Sequence, residues 1–101
     1  MRWVQIEWDA KKNAANKRKH GLSFEEASEL FTSGVDYLEV FDAAHSEEED
    51  RFINIGPVKR GVIVVVTTVP EDTVLRIVSA RPATSREAGM WAKQMKGKAD
   101  V

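Results

Sequence analysis

Four apolar runs follow one another between Val35 and Ala80, each closed by a polar or a glycine–proline turn. They are Val35–Phe41, Arg51–Ile55, Val62–Val69 and Val74–Ala80, and the connections are Asp42–Glu49, Gly56-Pro57 and Pro70-Glu71-Asp72. Short runs rich in β-branched residues, punctuated in this way, predict an antiparallel meander. Ahead of them, Trp3–Trp8 alternates well enough for one more short strand. Asp9 suits the N-cap of a helix over about 10–20, and Gly21 the position just past its end. Ser23-Phe24-Glu25-Glu26 is a capping box that starts a second helix at once. Phe24, Ala27, Leu30 and Phe31 share one face of it, and Gly34 closes it. Thr84-Ser85-Arg86-Glu87 is another capping box. It opens a last helix with Ala88, Trp91, Ala92 and Met95 on one face, ending near Gly97. The expected order is β-α-α-β-β-β-β-α. One small α+β domain over residues 1–101 follows, an antiparallel sheet with helices packed on it.

The chain contains no cysteine, so disulfides and thiolate metal sites are excluded. Its two histidines, His20 and His45, fit no HExxH-type spacing, and no metal or cofactor is expected. The longest apolar run, Val62–Val66, is far short of a membrane span, and Met1-Arg2 leads straight into a strand-like segment. A cytoplasmic protein without a membrane role is expected. The net charge of −1 hides a segregation. Residues 1–20 carry six Lys/Arg against two acids, residues 21–50 ten acids and no Lys or Arg, and residues 51–101 nine Lys/Arg against four acids. If the two basic thirds meet in space they form a cationic surface for a polyanion. Otherwise they are solvated faces.

Arginines flank an apolar run in Arg76-Ile77-Val78-Ser79-Ala80-Arg81. An arginine in a core strand is costly unless it has a partner or a task. Five residues apart, the two point to opposite faces of a regular strand, so one of them is expected to be structural. Arg81 precedes Pro82 at the strand's end, and Arg51 shares a face with Ile53 and Ile55. Pairing with Asp50, Glu87 or another acid competes with an anion-binding role for all three. The first helix has only Ala10, Ala14 and Ala15 as apolar residues. Its Lys12, Asn16, Lys19 and His20 project from one face, a surface able to hold phosphates. His20 is the imidazole suited to proton transfer beside that surface. A cation favoured at a helix C-terminus is the competing reading. His45, in a polar turn, is expected to be exposed, with Asp42 offering it polar contacts. Trp8 is either core or a platform for stacking bases, and Trp91 belongs to the apolar face of the last helix.

With these residues the chain resembles the BrnT family. The resemblance runs from Ile6 to about Trp91. It rests on Glu7-Trp8-Asp9, Asn16, Lys19-His20-Gly21, Ser23-Phe24-Glu25-Glu26-Ala27, His45-Ser46, Arg51, Gly56, Arg76–Arg81, Ala83-Thr84 and Glu87. Asp50 stands where that family usually has glutamate, and Trp91 where it has tyrosine. The resemblance implies a RelE-like fold and a metal-independent endoribonuclease toxin of a type II toxin–antitoxin pair. The RNA's own 2′-hydroxyl would attack the adjacent phosphate. His20 would be the acid/base, and Arg51, Arg76 and Arg81 the charge stabilisers. Lys12, Asn16, Lys19 and Trp8 would contact RNA. It also implies a BrnA-like ribbon-helix-helix antitoxin, a heterotetramer with it, and contact with DNA only through that partner. A non-catalytic module that still binds its antitoxin, or an RNA-binding regulator, are the other readings.

Overall fold

The computed structural model describes residues 3–99, so Arg2 of the N-terminal cations lies outside it. The observed order is β1 (Gln5–Glu7), α1 (Ala10–His20), α2 (Phe24–Thr32), β2 (Leu38–Phe41), a 3-10 turn (Ala43–His45), β3 (Asp50–Val58), β4 (Gly61–Glu71), β5 (Val74–Pro82) and α3 (Ser85–Ala99). This is the expected α+β architecture. The five-stranded sheet has the order β1-β5-β4-β3-β2. Strands β2 to β5 form the meander, and β1 joins its far edge parallel to β5.

The caps behave as the sequence requires. The Asp9 carboxylate accepts from the backbone N–H groups of Lys11 and Lys12, and Gly21 ends α1 at φ 69°. Ser23 and Glu26 close the capping box of α2. Leu22, Phe24, Ala27, Leu30 and Phe31 pack on Ile63, Val65, Leu75, Ile77 and Ala80 to form the main core on one face of the sheet. Ile55 and Val64 are also buried, but they alternate with those core positions and face the other way. Helix α3 packs on β3 at that side.

Three expectations fail for reasons of packing. Gly56-Pro57 is not a turn. Both residues lie inside β3, and the hairpin turns at Lys59-Arg60, with Gly61 at φ 131°. Gly56 is needed where α2 comes close: a Cβ there would sit 2.6 Å from Leu30 Cδ1 and 2.7 Å from Tyr37 Cβ. Proline is tolerated at 57 because β2 pairs with β3 only as far as Ile55, leaving that edge without a neighbour. Pro70 likewise lies in β4, which runs on to Glu71. Trp91 is not core. It is half-buried, and its Nε1 donates to the backbone oxygen of Asp36 at 3.1 Å, tying α3 to the segment before β2.

Candidate active site

The decisive detail lies in how β5 meets β4. Val66 pairs with Ser79 and Thr67 with Ile77, so Val78 is an extra residue, a bulge. The bulge changes the strand's parity. Arg76 pairs with Thr68 and Arg81 with Val64, two β4 positions on one face. Arg76 and Arg81 therefore share a face, contrary to what a regular strand predicts. Arg51 pairs with Thr68 from the other side. Glu7 of β1 pairs with Arg76. One row thus crosses four strands, Glu7–Arg76–Thr68–Arg51, on the face away from α2.

The row is polar and only partly satisfied. Arg76 Nε donates to Glu7 at 2.8 Å and its Nη1 to Glu49 at 3.3 Å. Both carboxylates raise the pKa of Arg76, the hydrogen bond to Glu7 acting most strongly. Arg51 is different: its Nε is buried and has no hydrogen-bond partner among the described residues. The 3-10 turn is fastened over it. Asp42 N–H donates to the Arg51 carbonyl at 2.8 Å, and Arg51 N–H donates to Ser46 Oγ at 2.9 Å. This fastening brings in a residue that sequence reasoning set aside. His45 turns its Nδ1 to the Asp42 carboxylate at 2.9 Å and leaves Nε2 for another partner. An open pocket of about 410 Å³ lies between the turn and the sheet, lined by His45, Glu47, Glu48, Glu49, Arg51 and Thr68 together with Ala44. The available signal in the sequence was the pair Asp42 and His45, three residues apart, just ahead of Arg51.

The other expected site residues are dispersed. His20 is half-buried at the end of α1, a helix of ~16 Å at ~1.5 Å per residue. The next residue, Gly21, accepts a hydrogen bond from Arg60 of the β3–β4 hairpin. That hairpin follows Val58, and Arg51 lies ~23 Å back along β3 at ~3.3 Å per residue. His20 and the arginine row thus occupy opposite ends of the sheet. Asn16 is buried and does not face solvent. Its Nδ2 donates to the carbonyls of Ala80 at 2.7 Å and Leu22 at 2.8 Å, and its Oδ1 accepts from Ala80 N–H at 3.1 Å. β1 pairs with β5 only from Val74 to Arg76. Beyond it, the Asn16 amide takes the place of a strand on the free edge of β5. Trp8 packs edge-on against Phe24, with ring centroids 6.3 Å apart, and is half-buried against the core. Lys12 and Lys19 remain exposed on α1, with Lys11, Lys17 and Arg18.

Arg81 is engaged by Glu87 through two parallel bonds of 2.7 Å. The same carboxylate accepts from Thr84 N–H at 2.9 Å, completing the capping box of α3. Arg81 thereby joins the end of β5 to the start of α3. Its guanidinium, helped by Thr84, holds the Glu87 carboxyl down from the usual 4.5 to about 2, against the opposing effect of burial. A depressed carboxyl stabilises the fold above its unfolded pKa and loses that contribution as pH falls through the folded value. Wild-type protein is therefore expected to lose thermal stability between pH 4.5 and about 2. Glu87→Gln keeps an N3 amide for capping and should melt with a flatter pH profile in that window. Parallel profiles for the two proteins would show that the pair contributes nothing.

The likeness to known proteins covers most of the chain. Residues 8–87 match the model of a family described as "Ribonuclease toxin, BrnT, of type II toxin-antitoxin system". A crystal structure of the Brucella abortus ribonuclease toxin BrnT is similar, with a TM-score of 0.60 and 27% sequence identity. The match covers 80% of this chain and 97% of that one. No curated protein matches the chain.

Proposed function

The chain belongs to the BrnT family of ribonuclease toxins of type II toxin–antitoxin systems, and from that premise we propose that it cuts RNA without a metal ion at the row Arg76–Thr68–Arg51. The single observation that supports this placement is a pocket lined by Arg51 and an oriented imidazole, with Arg76 next to it across Thr68. In the proposed reaction the 2′-hydroxyl attacks the neighbouring phosphorus. Its proton leaves to a base, the O2′–P bond forms, the P–O5′ bond breaks, and O5′ takes up a proton. Arg51 and Arg76 stabilise the charge that builds on the phosphoryl oxygens. His45 replaces His20 as the acid/base, since it is the imidazole beside the arginines and Asp42 orients it. The exposed cations of α1, Lys12 and Lys19 among them, hold flanking phosphates. Arg81 and Asn16 support the fold.

We place its action in the cytoplasm, and the family implies an antitoxin. We take that partner to be a BrnA-like ribbon-helix-helix protein, joined in a heterotetramer that reaches DNA through the antitoxin alone. Among the described residues no helix is long and apolar enough to cross a membrane.

Expression of the chain alone in a bacterial host is expected to arrest growth, and co-expression of the antitoxin to restore it. Purified protein should cut RNA in excess EDTA, leaving a 2′,3′-cyclic phosphate or its opened form. Normal growth at confirmed soluble expression would favour a non-catalytic binding module. Full EDTA inhibition, reversed by one divalent ion, would overturn the mechanism.

A further inference from the structure

Two hydrogen-bond donors are left over in the pocket. Arg51 Nε and Thr68 Oγ1 are both buried, and neither has a partner among the described residues. Thr68 is only 9% exposed, yet it lines the pocket together with Arg51. The two residues are directly paired across β3 and β4 and therefore share a face. Buried polar groups are nearly always satisfied, because an unmade bond costs the full desolvation of the group. Two such groups side by side, both opening on one pocket, are what a ligand site needs before its ligand arrives. They lie on β3 and the central strand β4, which pair along the whole length of β3, so they are held without having to reorganise.

Resting on the ribonuclease reading, we infer that Arg51 Nε–H and the Thr68 hydroxyl form the seat of the scissile phosphate. Each donates to one of its non-bridging oxygens. The ligand class is a tetrahedral phosphate oxyanion. A metal cation is excluded from the same place by the fixed positive charge of the guanidinium. The carboxylates around the pocket set the terms of binding. Glu47 and Glu48 are exposed, and Glu49 faces Arg76 at 3.3 Å. They oppose a free anion, so isolated phosphate binds weakly and a longer RNA, held elsewhere along its backbone, binds well. Removing the charge of Glu49 should tighten the hold on phosphate. Thr68 gains most of its value as charge accumulates on the oxygens during attack, so its loss should appear in kcat more than in KM.

The test uses the whole chain labelled with ¹⁵N, titrated with inorganic phosphate while the Arg51 side-chain Nε–H resonance is followed. RNA cleavage and melting are measured on wild type, Thr68→Val, Thr68→Ser and Glu49→Gln. Phosphate should move the Arg51 signal in wild type, at lower concentration in Glu49→Gln, and hardly at all in Thr68→Val. Thr68→Val removes one hydroxyl at nearly constant shape. It should slow cleavage by roughly ten- to a hundredfold, the weight of one hydrogen bond to a charged group. Its melting temperature should equal or exceed that of wild type, because an unpartnered buried hydroxyl has been removed. Thr68→Ser should recover most of the rate. If Thr68→Val cuts at the wild-type rate and phosphate leaves the Arg51 signal unmoved, the seat is wrong while the ribonuclease reading stands. If wild type cuts no RNA but phosphate moves the signal, the seat stands and the ribonuclease reading fails. Should Thr68→Val not fold, the wild-type titration and the Thr68→Ser rate still decide.

Discussion

Asn16→Ala is expected to cost about 3–5 kcal/mol, an appreciable share of the stability of a domain this size. The alanine would leave three buried backbone groups without partners: the N–H and C=O of Ala80 and the C=O of Leu22. Each unmade buried bond costs about 1–3 kcal/mol, and partial entry of water recovers some of it. Asn16→Asp should fare little better. It keeps an acceptor for Ala80 N–H but has no donor for the two carbonyls, and it brings a charge into a buried place. Urea denaturation of both variants is the measurement. If Asn16→Ala unfolds at the wild-type midpoint, the amide is not what seals the edge of β5.

The second large effect separates the two imidazoles. His45→Ala is expected to lower kcat by roughly 10²–10⁴, the usual weight of a positioned acid/base. It should leave the melting temperature unchanged, since the side chain is 63% exposed and bonds to Asp42 within the same turn. His20→Ala should cut RNA at close to the wild-type rate. Its cost to stability should not exceed about 2 kcal/mol, the upper range for a cation at a helix C-terminus. Rates and melts on both variants decide the matter. A dead His20→Ala beside an active His45→Ala would move the chemistry to the other end of the sheet.

These expectations show where reading the sequence succeeded and where it stopped. The helix caps were legible because capping is local: Asp9, Ser23–Glu26 and Thr84–Glu87 each bond within a few residues. The strands were legible from their period and composition. Their ends were not, because Gly56 and Pro57 read as a turn when considered alone. What keeps them in a strand is Leu30, from a helix remote in sequence, and an edge that β2 does not cover. Asn16 was misread for a related reason. An amide among lysines looks like a ligand for phosphate until the bare edge of β5 is placed beside it. His45 was passed over because only the fastening of the turn to β3 brings it to Arg51. Arg51 and Arg76 were identified as candidates, but their common face depends on pairing, which periodicity along one strand does not contain.

The surplus residue in β5 has a consequence for how such a chain can change over time. Val78 can be exchanged for another apolar residue at small cost, because its place in the strand is set by the ladder on either side of it. It can even be dropped: one deletion between Ile77 and Ala80 leaves Arg76 and Arg81 four residues apart, a spacing that keeps both on one face of a regular strand. What the chain cannot do is keep all its residues and lose the bulge. One arginine would then be turned through to the side occupied by Leu75, Ile77 and the helices, and either the link from Arg81 to α3 or the polar row at Arg76 would be lost. In this segment the residue count and the bulge can change only together.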